Sequence, residues 1–174
     1  AKATDAGTYT ANVLGNAVVK DPNGNDVTAQ FKINTFDGTL VINKRSVVLT
    51  SATDAKEYDG TALTNNNVET TGDGFAKGEG AAYSVTGTQT LPGISANTFN
   101  YTLNEGTSAS NYTITKVEGT LTVTNRVLKY AINVEANSGT FKYDGTAKSA
   151  SGLVTTEFVI GGNTYTVSGL TAEA

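Results

Sequence analysis

Apolar residues in this chain come in short alternating runs. Leu40 and Ile42 fall on one face of an extended segment, and Leu121 and Val123 do the same further on. Val47 and Leu49 continue the first pattern; Leu128, Tyr130, Ile132 and Val134 continue the second. A period of two predicts half-buried strands. No stretch carries a sustained i, i+3, i+4, i+7 stripe, so any helix is at most short. Turn signals are dense. Asp21-Pro22-Asn23-Gly24-Asn25-Asp26 lies between Val18-Val19 and Val27 and reads as a hairpin loop. Gly161-Gly162-Asn163 separates Glu157-Phe158-Val159-Ile160 from Thr164-Tyr165-Thr166-Val167, a second hairpin. The expected class is all-β.

Words recur along the chain. Phe36-Asp37-Gly38-Thr39-Leu40-Val41-Ile42-Asn43-Lys44-Arg45 reads like Val117-Glu118-Gly119-Thr120-Leu121-Thr122-Val123-Thr124-Asn125-Arg126, 81 positions later. The same offset carries Phe31-Lys32-Ile33 onto Tyr112-Thr113-Ile114. Tyr58-Asp59-Gly60-Thr61-Ala62 returns as Tyr143-Asp144-Gly145-Thr146-Ala147, and Tyr83, Val85 and Gly87 match Tyr165, Val167 and Gly169. Several words kept in one order define a homologous repeat. Residues 46–126 make one complete module, 1–45 the C-terminal half of a module, and 127–174 the N-terminal half of the next. Reading 127–174 on into 1–45 returns the words in order, with Tyr9 set against Phe99 and the Asp21–Asp26 loop as an insertion. The chain is therefore expected to be one period of a longer array, cut within a module.

The junctions carry a prediction of their own. Leu40 to Leu49 and Leu121 to Val134 contain neither Gly nor Pro, whereas a flexible linker is rich in Gly and Ser. Extended backbone is expected through Lys44-Arg45-Ser46 and through Asn125-Arg126-Val127, giving a stiff, elongated rod.

The words Tyr-Asp-Gly-Thr-Ala (58–62 and 143–147), Asp26-Val27-Thr28 followed by Phe31-Lys32-Ile33, and Gly-Thr-Leu (38–40 and 119–121) ending at Arg resemble the MBG repeats. The resemblance covers nearly the whole chain. It implies mostly-β, β-grasp-like small modules in tandem, strung along a bacterial surface protein as an extended stalk. It brings no catalytic residues and leaves any ligand unspecified.

Composition narrows the chemistry. The chain has no His, Cys, Met or Trp, carries 19 Gly and 2 Pro, and has a net charge of −4 with only 16% charged residues. Without His or Cys there is no Ser-His-Asp triad, thiol nucleophile or thiolate zinc site. The carboxylates are scattered, so no glycosidase pair stands out, and the chain is read as non-enzymatic, with no cofactor. No basic stripe offers an electrostatic footprint for nucleic acid, and no run nears 18 apolar residues, so no membrane insertion is expected. A secreted chain without Cys suits a bacterial surface. It begins at Ala1 without a signal peptide, as an excerpt of a longer protein would.

Two groups of residues qualify as candidate sites. Asp21, Asn23 and Asn25 have the alternating spacing of calcium ligands. The sixth position, however, is Asp26 where an EF-hand loop needs Gly, and the twelfth is Lys32 where it needs Glu. A plain turn accounts for them better. The repeated words Tyr58, Asp59, Gly60, Thr61 and Tyr143, Asp144, Gly145, Thr146 suit a tight turn beside a core-edge Tyr, with a ligand site as the alternative. Asn100-Tyr101-Thr102 and Asn111-Tyr112-Thr113 match the glycosylation sequon incidentally.

The sequence thus predicts a structural stalk or spacer of a bacterial cell-surface adhesin or fibre, extracellular, projecting a distal binding domain. Its partners would be neighbouring repeats, end to end in a filament, and a host or cell-surface ligand met by domains outside this chain. The alternative is a repeat-borne glycan- or protein-binding module.

Overall fold

The computed structural model describes all 174 residues. Twelve short strands follow one another: β1 (Gly7–Ala11), β2 (Gly38–Ile42), β3 (Arg45–Ser51), β4 (Asp54–Glu57), β5 (Val68–Gly72), β6 (Ala81–Val85), β7 (Gly93–Ala96), β8 (Phe99–Leu103), β9 (Tyr112–Val117), β10 (Thr120–Thr124), β11 (Glu157–Ile160) and β12 (Asn163–Thr166). The helical content is two single 3-10 turns, Thr28–Gln30 and Ala109–Asn111. The chain is all-β, as the period-two pattern predicts.

The strands pack into two compact units. The first comprises Ala1–Ala52, Asn66–Thr86 and Thr98–Gly119; the second comprises Thr53–Asn65, Gly87–Asn97 and Thr120–Ala174. In the first, β3 is central, antiparallel to β5 and parallel to β9, with Arg45 opposite Tyr112 and Val47 opposite Ile114. Alternation turns Val47 and Leu49 inward, and both are wholly buried. They join Phe99 and Tyr112, flanked by Val68, Phe75, Tyr83, Val85, Tyr101 and Ile114. Phe75 meets the Tyr112 ring edge-on at 5.1 Å. The Tyr112 hydroxyl donates to Glu79 Oε2 at 2.7 Å and accepts from the Ala76 amide at 3.0 Å. This buried phenol therefore has partners for both functions.

The second unit is built on β10, parallel to β4 and antiparallel to β7. Leu121 and Val123 point inward from β10 and pack with Leu63, against Tyr58. In the same unit β11 and β12 form an antiparallel hairpin closed by Gly161-Gly162, as the sequence predicts. The Asp21–Asp26 turn is also present, but it is closed by a single antiparallel bridge, Lys20 to Asp26, and not by strands.

Some features recur at the sequence offset. The two 3-10 turns lie 81 positions apart. Gly7 pairs with Ile42 as Gly93 pairs with Val123, again 81 positions on at the second partner. This register makes Ser95 the counterpart of Tyr9. The sequence alignment of Tyr9 with Phe99 is thereby corrected: Phe99 belongs to β8, which pairs with β6. Two apolar residues in similar surroundings of Thr and Asn are interchangeable to the eye, and only strand register tells them apart.

Other sequence expectations fail at the flanks. β2 leads into β3 with only Asn43 and Lys44 between, so the first junction is extended as predicted. At the second, β10 ends at Thr124 and the backbone bends at Val127-Leu128. The alternating Leu128, Tyr130, Ile132 and Val134 do not form a strand. A strand needs a neighbour to satisfy its backbone amides, and this segment has none. No residue of 1–45 or 127–174 is buried; every buried side chain lies between Val47 and Val123.

Candidate functional site

The repeated Tyr-Asp-Gly-Thr word folds the same way twice. Asp59 Oδ1 accepts from the Thr61 amide at 2.9 Å and from its hydroxyl at 2.8 Å. Asp144 Oδ1 accepts the same pair from Thr146, at 3.0 and 2.6 Å. The intervening glycines have φ of +82° at Gly60 and +80° at Gly145, the left-handed region that favours Gly. Asp26 and Thr28 repeat the bonding a third time, without the Gly. These are Asx-type turns, in which the carboxylate replaces a backbone carbonyl.

A lysine caps each of the two Gly-containing turns. Lys56 Nζ lies 2.8 Å from Asp59 Oδ1 and 2.7 Å from Thr61 Oγ1. Lys148 Nζ lies 2.7 Å from Asp144 Oδ2 and 2.8 Å from Thr146 Oγ1. The sequence did not reveal these lysines, because one precedes its Asp by three residues and the other follows by four. Both pairs are solvent-exposed, so they contribute little beyond the turn itself.

The hydrogen bonds depress the carboxyl pKa values. Lys56 first, then Thr61, lowers Asp59 well below its ordinary 3.8. Lys148 and Thr146 lower Asp144; Thr28 lowers Asp26; Asn25 lowers Asp21. A lowered folded-state pKa means the unfolded chain binds more protons between that pKa and 3.8. The stabilisation is therefore complete above about pH 4 and is lost as pH falls toward the folded-state values. Melting temperature should stay level from pH 7 to about 5 and fall below about 4. Calorimetry across pH 2–7 checks this, and a decline already under way at pH 6 would contradict it.

The two copies differ in their tyrosine. Tyr143 is almost fully exposed, at 97%. Tyr58 packs on Leu63, Leu121 and Val123 and borders a cleft of about 570 Å³ within the second unit. Arg126, Lys129, Tyr130, Ile132 and Tyr165 also line it. The Arg126 guanidinium sits 4.2 Å from the Tyr130 ring centroid and donates to the carbonyls of Tyr58 and Leu128. The Tyr58 and Tyr165 hydroxyls are 3.1 Å apart, and that bond, more than burial, raises the Tyr165 pKa. Three tyrosines with an Arg and a Lys can stack against a sugar ring or hold an anion; no carboxylate lines the cleft to move a proton. Tyr58 and Tyr165 were singled out in the sequence by their repeated words. Tyr130 and Ile132 read there only as strand positions, so the cleft itself was missed.

The Asp21 loop turns its carboxylate inward. Asp21 Oδ1 accepts from the amides of Asn23 and Asn25, both at 2.9 Å, and Oδ2 accepts from Asn25 Nδ2 at 3.0 Å. Asp21 and Asn25, two of the three calcium-spaced residues, are thus bonded to each other. No group of three His, Cys, Asp or Glu residues is placed to hold a metal ion, and no helix is long and apolar enough to cross a membrane.

Compared with protein-family models, with curated proteins and with solved structures, the chain matches none.

Proposed function

We propose that this chain is a non-enzymatic structural spacer, a stretch of tandem β-grasp-like modules of the MBG type in the stalk of a bacterial cell-surface adhesin or fibre. The observation that carries the reading is the recurrence at one offset of a sequence word together with its strand register. Gly38-Thr39-Leu40 and Gly119-Thr120-Leu121 enter β2 and β10, whose antiparallel partners stand in the same register. A chain that repeats its architecture adds length with each copy. The Asx turns support a structural role for the repeated words, since their polar atoms bond to one another.

Solution scattering on polypeptides carrying one, two and three copies of the chain tests this. A stiff array lengthens in equal steps, each 81-residue module adding roughly 30–40 Å. A maximum dimension that grows only as the cube root of mass would defeat the spacer reading.

The tyrosine cleft favours a second reading, a binding module for glycans. A glycan array should then give a reproducible hit that Tyr130→Ala removes; a blank array leaves the spacer alone.

A further inference from the structure

The pair β3–β9 is the core of the first unit, and both of its strands have sequence counterparts 81 positions away that lie unpaired. Residues 126–132 are the counterpart of β3, and residues 31–36 that of β9; neither segment belongs to any strand. We propose that the two segments pair with each other between chains: residues 126–132 of one copy bind residues 31–36 of a second copy as parallel strands. This rests on the tandem-module reading above and gives it a mechanism of end-to-end assembly.

The intramolecular pair supplies the register. Arg45 opposite Tyr112 becomes Arg126 opposite Phe31, and Val47 opposite Ile114 becomes Leu128 opposite Ile33. The inward positions of both segments are apolar, with Ile132 standing where the template has the buried polar Ser51. Leu128, Tyr130 and Ile132 take the places of Val47, Leu49 and Ser51, and Phe31 and Ile33 those of Tyr112 and Ile114. The template residues Val47, Leu49 and Tyr112 are at most 4% exposed, whereas Leu128 is 77% exposed, Phe31 56% and Ile33 42%. Both segments thus present the apolar face of a strand without a neighbouring strand, while the Phe31 amide bonds to Thr28 O and the Leu128 carbonyl accepts from Arg126 Nε.

A glycine provides an independent sign. A Cβ on Gly119 would lie 2.5 Å from Ala52 O and 2.6 Å from Ala52 C, with Ser51 O closer still. Glycine is required there by the close approach of the chain leaving β3. At its counterpart Gly38 the only neighbour is Ala11, at 3.7 Å. Nothing in this chain crowds Gly38; residues Ile132 and Asn133 of a second copy, the counterparts of Ser51 and Ala52, would. Another copy of this sequence fits as the occupant, because its segments 126–132 and 31–36 carry the counterparts of β3 and β9 in the register that the intramolecular pair shows. The pairing also lines the tyrosine cleft, whose wall includes Arg126, Tyr130 and Ile132.

The absence of Cys makes the test clean. Adjacent strands bring paired Cα atoms within disulfide range. Two full-length single-cysteine variants, Leu128→Cys and Ile33→Cys, are mixed in equal amounts at about millimolar concentration, the effective concentration a tethered array reaches, and oxidised in a thiol buffer. The pairing predicts heterodimer well above the half expected of random collision, and a ladder of linear oligomers from the chain carrying both substitutions. Replacing Leu128→Cys by Lys129→Cys should return the yield to the random level. Leu128→Asp and Gly38→Ala should each reduce concentration-dependent self-association in sedimentation while leaving the melting of the single chain unchanged. Random-level heterodimer, homodimers in excess, or only an internal disulfide in the double variant would overturn the proposal. Equal length steps in scattering without the heterodimer would keep the spacer reading and remove this pairing; the heterodimer without equal steps would do the reverse.

Discussion

Gly119→Ala is expected to destabilise the chain severely, while Gly38→Ala, the same change in the same word, leaves it nearly unaltered. At Gly119 the added carbon meets backbone on two residues, Ser51 and Ala52, not a movable side chain. The Gly119 amide also donates to Ser51 Oγ at 3.0 Å in a buried bond that any displacement would break. Overpacking of this kind costs about 3 kcal/mol, which for a chain of this size lowers the melting temperature by roughly 6–12 °C. At Gly38 the nearest atom lies at ordinary contact distance, and the expected change is within about 0.5 kcal/mol. Thermal denaturation of the two variants side by side decides it. Equal effects would mean that the repeated glycine serves a local turn and not a close approach.

Phe99→Ala should cost about 3–5 kcal/mol. Phe99 is 1% exposed at the centre of the first unit's core, and Lys116 Nζ lies 4.9 Å from its ring centroid. Removing the ring leaves a void bordered by Val47 and Leu49, which are held by strands on both sides and have little freedom to collapse. Phe36→Ala is the contrast. Phe36 is equally apolar in the sequence but 85% exposed, and its loss should fall within about 0.5 kcal/mol. Denaturant titration measures both. A Phe36 effect comparable with that of Phe99 would show that the flank is packed in solution.

The contrast between Phe36 and Phe99 marks the limit of what could be read from the residues. Alternation, turn chemistry and recurring words were legible because they depend on near neighbours. The period of two at Leu40 and Ile42, and at Leu121 and Val123, became β2 and β10. Gly161-Gly162 became a hairpin turn. The Asp-Gly-Thr words became Asx turns because carboxylate, amide and hydroxyl lie within two residues of one another. The candidate cleft was only half legible: Tyr58 and Tyr165 stand in repeated words, but Lys129 and Tyr130 reach it from a segment that the pattern assigned to a strand.

Local pattern was enough to specify the all-β class, the turns and the positions able to face a core. Those follow from backbone sterics and side-chain period, which act over a few residues. Which apolar faces found a partner depended on long-range packing. Val47 and Leu49 are buried because β5 and β9 flank β3; Leu128, in the same pattern 81 residues later, remains in solvent, and Tyr130 only borders a cleft. A strand is completed by hydrogen bonds and contacts from residues far along the chain, so the same local pattern yields core in one copy and open edge in the other.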